Sequence, residues 1–326
     1  MAGGGGAENL WVSAMNRSLD SYLNEYVQLR HAMGHRLKAA EAMIARYLNY
    51  LHDINEEVLT VDTAVVWACL PTAAANPTKA AHLSAIRGFA AYVHAHDPLL
   101  AALIPAGLIP ARATRQQPYI YSDSQVEAMM IGALALRPAV RGLTLQTLIG
   151  LMAATGMRTG ECLGLNLADI DWPSGILTVS GKNNSTRLVP IHPSTVAALK
   201  NYLYLSRAAI PSAEVNSFFI GSTGIRPHPT GLQAAFRTVR ENLGYTPRPG
   251  GKNPRLHDLR HSFATNALVQ AYRDGIDVDV RIAVLATYLG HVSPESTYWY
   301  LSSVPELLAL VEERVSTAQH QGVLLP

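Results

Sequence analysis

Residues 175–191 read GILTVSGKNNSTRLVPI. Two runs rich in β-branched residues, ILTV and TRLVPI, flank a tetrapeptide of turn-forming residues, KNNS, so the stretch predicts a β-hairpin with Lys182 at its tip. It is the one clear β signal in the chain; elsewhere apolar residues recur at three- and four-residue spacings, the helical period. The fold class is therefore mainly α, with a small β-hairpin or sheet inside a mixed, mostly-α domain.

Working outward, RGLTLQTLIGLMAAT precedes the hairpin, and before it Ser122 stands three residues ahead of Gln125, the spacing of a capping box opening a helix over VEAMMIGALAL. After the hairpin, PSTVAALKNYLYLSR, TGLQAAFRTVREN, RLHDLRHSFATNALVQA and VRIAVLATYLG read as further helices, with a tail helix over 304–315. Residues 104–120 hold prolines, a glycine, Arg112 and Arg115 without any period, which is linker composition. Upstream, helical patterning runs from Leu19 to about Leu103, broken at Gly34. The expected organisation is a flexible leader over 1–15, a helical domain over 16–104, a linker over 105–120 and a second domain over 121–326.

A chain of 326 residues with 48% hydrophobic and 15% charged residues has ample material for two cores. No run approaches the roughly 18–20 apolar residues that span a bilayer, and MAGGGGAENLW lacks the pattern of a secretion signal, so a cytoplasmic protein without a membrane partner is expected. Cys69 and Cys162 lie far apart with no CxxC spacing, which points away from a disulfide framework or a zinc site. Net charge is +2, but Arg226, Arg237, Arg240, Arg248, Lys252, Arg255 and Arg260 face only Glu241 and Asp258 within 226–260. Such a cluster is either a solvated face or a surface for a polyanion.

Several residues could carry chemistry, each weakly alone. His257 and Arg260 are three apart, the spacing that places two side chains together on a helical face. Arg158 follows Thr155-Gly156 and precedes a short helix, with Glu161 one turn on, where it could orient the guanidinium. A loop-tip lysine such as Lys182 is ordinarily solvated. YLGHVSPESTYWYL, residues 288–301, packs His291, Tyr288, Tyr298 and Tyr300 into fourteen positions. Aromatics of this density are usually core; on a helix Tyr298 and Tyr300 would stand about 200° apart and could not share a face.

The order of these elements resembles the tyrosine recombinases, the phage-integrase and Xer-type family: Arg158 with Glu161, Lys182 on a hairpin, His257-x-x-Arg260, Leu289-Gly290-His291, and a tyrosine nine residues later. The resemblance covers the chain from about residue 120 by motif, and the helical N-terminal part by size and helix content. It implies a C-shaped clamp around double-stranded DNA, made by a helical core-binding domain and a catalytic domain. It also implies that Tyr300 is the nucleophile, with Tyr298 as runner-up. Arg158 and Arg260 would hold the scissile phosphate with His257 and His291, Lys182 would protonate the leaving oxygen, and Glu161 would support them. The chain departs from many relatives in reading GKNNS where they have Gly-Lys-Gly, and ESTYWY where they have Ser-Thr-Thr before the tyrosine.

What the resemblance implies is site-specific recombination through a 3′-phosphotyrosyl intermediate and a Holliday junction, by a homo-tetramer on two DNA sites, for integration, excision or resolution of a mobile element. An accessory DNA-binding protein could take part. Two arginines, two imidazoles and a lysine meet the needs of phosphodiester displacement without a metal, and the ester conserves the bond energy, so no cofactor and no ATP are expected. A phenol of pKa about 10 must lose its proton as it attacks, and either histidine could take it. The tail could pack on its own domain or on a neighbouring protomer. A type IB topoisomerase-like relaxing enzyme and a non-cleaving DNA-binding protein are the competing readings.

Overall fold

The computed structural model describes residues 18–35, 38–111, 117–181, 185–213, 216–247, 251 and 253–290. Lys182, His291, Tyr298, Tyr300, Arg112, Arg115, Arg248, Lys252 and the expected tail helix over 304–315 lie outside them. The chain divides into two compact units, residues 1–115 and 116–326.

In the first unit, α1 (Leu19–Ala32) and α2 (Lys38–Asp53) are separated at Gly34, whose φ of 82° is a backbone angle that ends a helix. Helices α3 (Val61–Cys69) and α4 (Asn76–His96) follow. Thr60 and Thr63 cap α3 reciprocally, and Thr63 also meets the Tyr47 hydroxyl at 2.8 Å, tying α3 to α2. Tyr22, Tyr26, Ile44, Tyr47, Leu48, Ile86 and Phe89 are buried in its core.

The second unit is built on α6 (Ala139–Thr155), which is apolar on most sides and buried accordingly: Leu145, Leu148, Ile149, Leu151 and Met152 are all inaccessible. Against it pack α5 (Asp123–Ala133), α8 (Pro193–Ala209), α9 (Pro229–Asn242) and α10 (Asp258–Arg273). The Ser122–Gln125 capping box opens α5 with both reciprocal bonds made, at 3.2 and 3.1 Å. Short helix α7 (Thr159–Gly164) and α11 (Val278–Leu289) complete the α-helices among the described residues, with one 3-10 turn at Leu167–Asp169.

The hairpin is present as β2 (Ile176–Ser180) and β3 (Thr186–Pro190), antiparallel with Leu177 opposite Val189 and Val179 opposite Arg187. A third strand, β1 (Ile170–Asp171), pairs with β2, so the hairpin is part of the small sheet expected. Two residues are too few to show alternation, so this strand leaves no periodic signal. Leu177, Val179 and Val189 face the core, which places Arg187 on the inner face with them.

Candidate active site

Gly156 ends α6 with φ 62°, and its amide donates to the Met152 carbonyl at 2.8 Å. A Cβ there would fall 2.5 Å from the Phe263 ring and 2.8 Å from Leu289, so both backbone and space demand glycine. This turn delivers Arg158 to the N-cap of α7. Glu161 accepts the Arg158 amide at 2.9 Å and its Nη1 at 2.7 Å. The pair is no surface decoration, because the Glu161 side chain is only 7% exposed.

A second guanidinium shares that carboxylate. Arg187 donates Nη2 to Glu161 Oε2 at 2.7 Å and Nη1 to Oε1 at 3.1 Å. Burial pushes the Glu161 pKa up, but the hydrogen bonds from Arg187 and Arg158 outweigh it and hold the carboxyl down at about 2. Glu161 is therefore ionised throughout the neutral range.

Arg260, from α10, is 2% exposed; its Nη1 donates to the Gly156 carbonyl and its Nη2 to the Leu289 carbonyl, both at 2.8 Å. Arg158 Nη2 reaches the Gly290 carbonyl at 3.3 Å, and Arg187 Nε the Tyr288 carbonyl at 2.9 Å. Three guanidinium groups thus hold three successive carbonyls, 288 to 290, at the end of α11. Orphan carbonyls and the negative end of the helix dipole favour cations at such a place. His291 is the next residue in the chain. Three cations gathered with the carboxylate of Glu161 leave an excess of positive charge, suited to an anion that brings its own acceptor oxygens.

His257 stands at the N-cap of α10, where the sequence pattern had set it inside a helix running from 255. The carboxylate of Asp258 accounts for the difference. It accepts the Arg255 amide at 2.8 Å and its Nη2 at 2.7 Å, closing a turn over 255–257 before the helix starts. The His257 carbonyl accepts the Arg260 amide at 3.1 Å, so the two candidates are still fixed side by side. Partial burial of the ring, with the charges of Arg260 and Arg255, lowers the His257 pKa below its ordinary value. A neutral imidazole is then the dominant form at neutral pH, and it can accept a proton. Tyr288 stacks on Phe263, with centroids 5.7 Å apart, and burial raises its phenol pKa, which makes it a packing residue.

The basic stretch 226–260 is not one open surface. Arg226 donates Nη1 to the Leu163 and Leu165 carbonyls and Nη2 to Asn166 Oδ1 at 2.7 Å, and Arg240 is held by the Pro254 carbonyl and Glu241. Arg237 is exposed, and Arg255 is half exposed while paired with Asp258. Arg187 is the site residue that motif reading missed. Strand alternation from Val189 would have turned it inward.

The model of the phage integrase family matches residues 122–306, more than half of the chain. The chain belongs to this family. Its members are the tyrosine recombinases, enzymes that cleave and rejoin DNA. The chain is 34% identical over 293 residues to y4rB of Sinorhizobium fredii, which is named as an integrase/recombinase, covering 88% of this chain and 93% of that one. It is 26% identical over 304 residues to the tyrosine recombinase XerC of Pseudomonas syringae pv. tomato, covering 88% and 91%. Among solved structures, the Tn1549 transposon integrase in complex with transposon right end DNA matches with a TM-score of 0.61 at 14% identity, over 92% of this chain and all of that one. A lambda integrase dimer bound to a COC′ core site matches with 0.57 at 17% identity, over 90% and 80%. At these identities the structures attest the fold of a tyrosine recombinase.

Proposed function

We propose that this tyrosine recombinase exchanges strands between two specific DNA sites through a 3′-phosphotyrosyl intermediate and a Holliday junction, serving the integration, excision or resolution of a mobile element. The observation that carries the reading is the arginine cluster at the end of α11, where Arg158, held by Glu161, and Arg260 bond the Gly290 and Leu289 carbonyls beside the turn that leads to His291.

In this account the Tyr300 oxygen attacks the scissile phosphorus, the bond from phosphorus to the 5′ oxygen breaks, and the 3′ phosphate becomes esterified to the tyrosine. The leaving 5′ oxygen takes a proton from Lys182. Neutral His257 takes the phenol proton, since its depressed pKa leaves it unprotonated and its ring is open to solvent on one side. Arg158, 37% exposed, and the more buried Arg260 stabilise the non-bridging oxygens, with His291 as a further donor. A 5′ hydroxyl from the partner site reverses the step. The ester conserves the backbone bond energy, so the account requires neither metal nor ATP, and four protomers on two sites complete the exchange. Arg237 and Arg255, with Arg112, Arg115, Arg248 and Lys252, are the proposed DNA contacts.

A plasmid carrying two copies of the DNA that flanks the coding sequence, incubated with the protein in EDTA without nucleotide, tests the reading. Deletion or inversion products between the copies are expected. Relaxation of supercoils without exchange would favour a topoisomerase-like enzyme, and binding without either would favour a protein that does not cleave.

A further inference from the structure

We propose that Arg187 is a positioning residue for strand cleavage: one guanidinium locks together the sheet whose loop carries Lys182, the turn that presents Arg158, and the helix end that leads to His291. The inference rests on the recombinase reading above and assigns a role to a residue outside the set that the motifs name.

Arg187 sits on β3 opposite Val179, one pair in from Ser180 and Thr186, the last paired residues before the Lys182 loop. Its side chain is 15% exposed and makes three directed bonds, two to the carboxylate of Glu161 and one from Nε to the Tyr288 carbonyl. Through Glu161 it is joined to Arg158, whose Nη1 is bonded to the same Oε1 that Arg187 Nη1 reaches. It also lies against the turn itself: a Cβ on Gly290 would come within 3.1 Å of Arg187 Nη1. The chain distances spanned are large, 26 residues to Glu161 and 101 to Tyr288, so each bond fixes one segment against another. A planar fork is needed for this. A lysine would keep the charge but could not bond both carboxylate oxygens and the carbonyl at once.

A buried ion pair is weak evidence for stability alone, and a merely structural Arg187 would move folding and cleavage together. The test therefore separates them, using the full-length protein at saturating concentration on nicked duplex carrying its site, with the single-turnover rate of covalent adduct formation as readout beside DNA affinity and thermal melting. Misplacement of reacting groups by about 1 Å lowers rates roughly 100-fold. Arg187→Gln and Arg187→Lys are expected to slow cleavage tenfold or more while affinity changes less than threefold and the melting transition stays cooperative. Combined with Glu161→Gln, Arg187→Gln should slow cleavage no further than the worse single variant. If Arg187→Gln does not fold, Arg187→Lys carries the same comparison. A cleavage rate within tenfold of wild type, or losses that multiply in the double variant, would overturn the inference while leaving the recombinase reading intact; a wild-type protein that forms no adduct would overturn both.

Discussion

In the proposed cleavage step His257 is the base, so its ionisation should set the pH dependence. Its pKa lies below the ordinary imidazole value because the ring is partly buried and Arg260 and Arg255 stand nearby. A base works only when unprotonated, so the cleavage rate should stay level through neutral pH and fall as the pH drops through that lowered pKa. In a pH series of single-turnover cleavage, His257→Gln should be slower by roughly 100-fold or more and lack this acid limb. An acid limb that persists in the variant would assign the proton to another group. The motif spacing set His257 and Arg260 on one helical face, while the turn that carries the imidazole depends on Asp258, and the two hydrogen bonds it accepts from Arg255 have no periodic signature.

At the scale of elements, Glu161 joins α7 to β3, and its ionisation links that joint to pH. Its folded pKa of about 2 lies below the ordinary 4.5 of a glutamate, so the stabilisation is fully present above about pH 4.5 and is lost as the pH falls toward 2. A depression of that size is worth on the order of 3 kcal/mol. Urea unfolding from pH 2 to 6 should show a steep acid loss in the wild type, and a lower neutral stability with a flatter profile in Glu161→Gln. Parallel profiles would contradict the account. The elements that were legible are those with local chemistry: the hairpin, the break at Gly34 and the reciprocal cap of Ser122 and Gln125. The clamp on carbonyls 288 to 290 was not, because it is assembled by bonds spanning 29, 101 and 132 residues, and periodicity carries no information about such partners.

For the whole molecule, the two units have separate cores, and the family match over residues 122–306 falls in the unit that carries the arginine cluster. Charge along the sequence exaggerates the surface available to DNA, since Arg226 is spent on internal acceptors and Arg240 on the Pro254 carbonyl and the carboxylate of Glu241. Exposed Arg237 and internal Arg226 should therefore behave differently. Arg237→Gln is expected to weaken binding to all duplexes and reduce the slope of log affinity against log salt by about 1. Arg226→Gln should instead lower the unfolding free energy and leave the slope unchanged. Equal salt slopes in wild type and Arg237→Gln would remove that residue from the DNA contacts.

In the proposed reaction a tyrosine of this chain becomes covalently joined to DNA under the hold of the arginine cluster. The most direct measurement is to trap the protein on a nicked duplex carrying its site, denature, digest, and identify by mass spectrometry the peptide that bears the nucleotide. The account predicts a phosphodiester on Tyr300, absent from Tyr300→Phe and retained in Tyr298→Phe, and scarce in Arg158→Ala. A linkage on Tyr298 would move the nucleophile by two residues, and no linked peptide from protein that binds the site tightly would contradict the account.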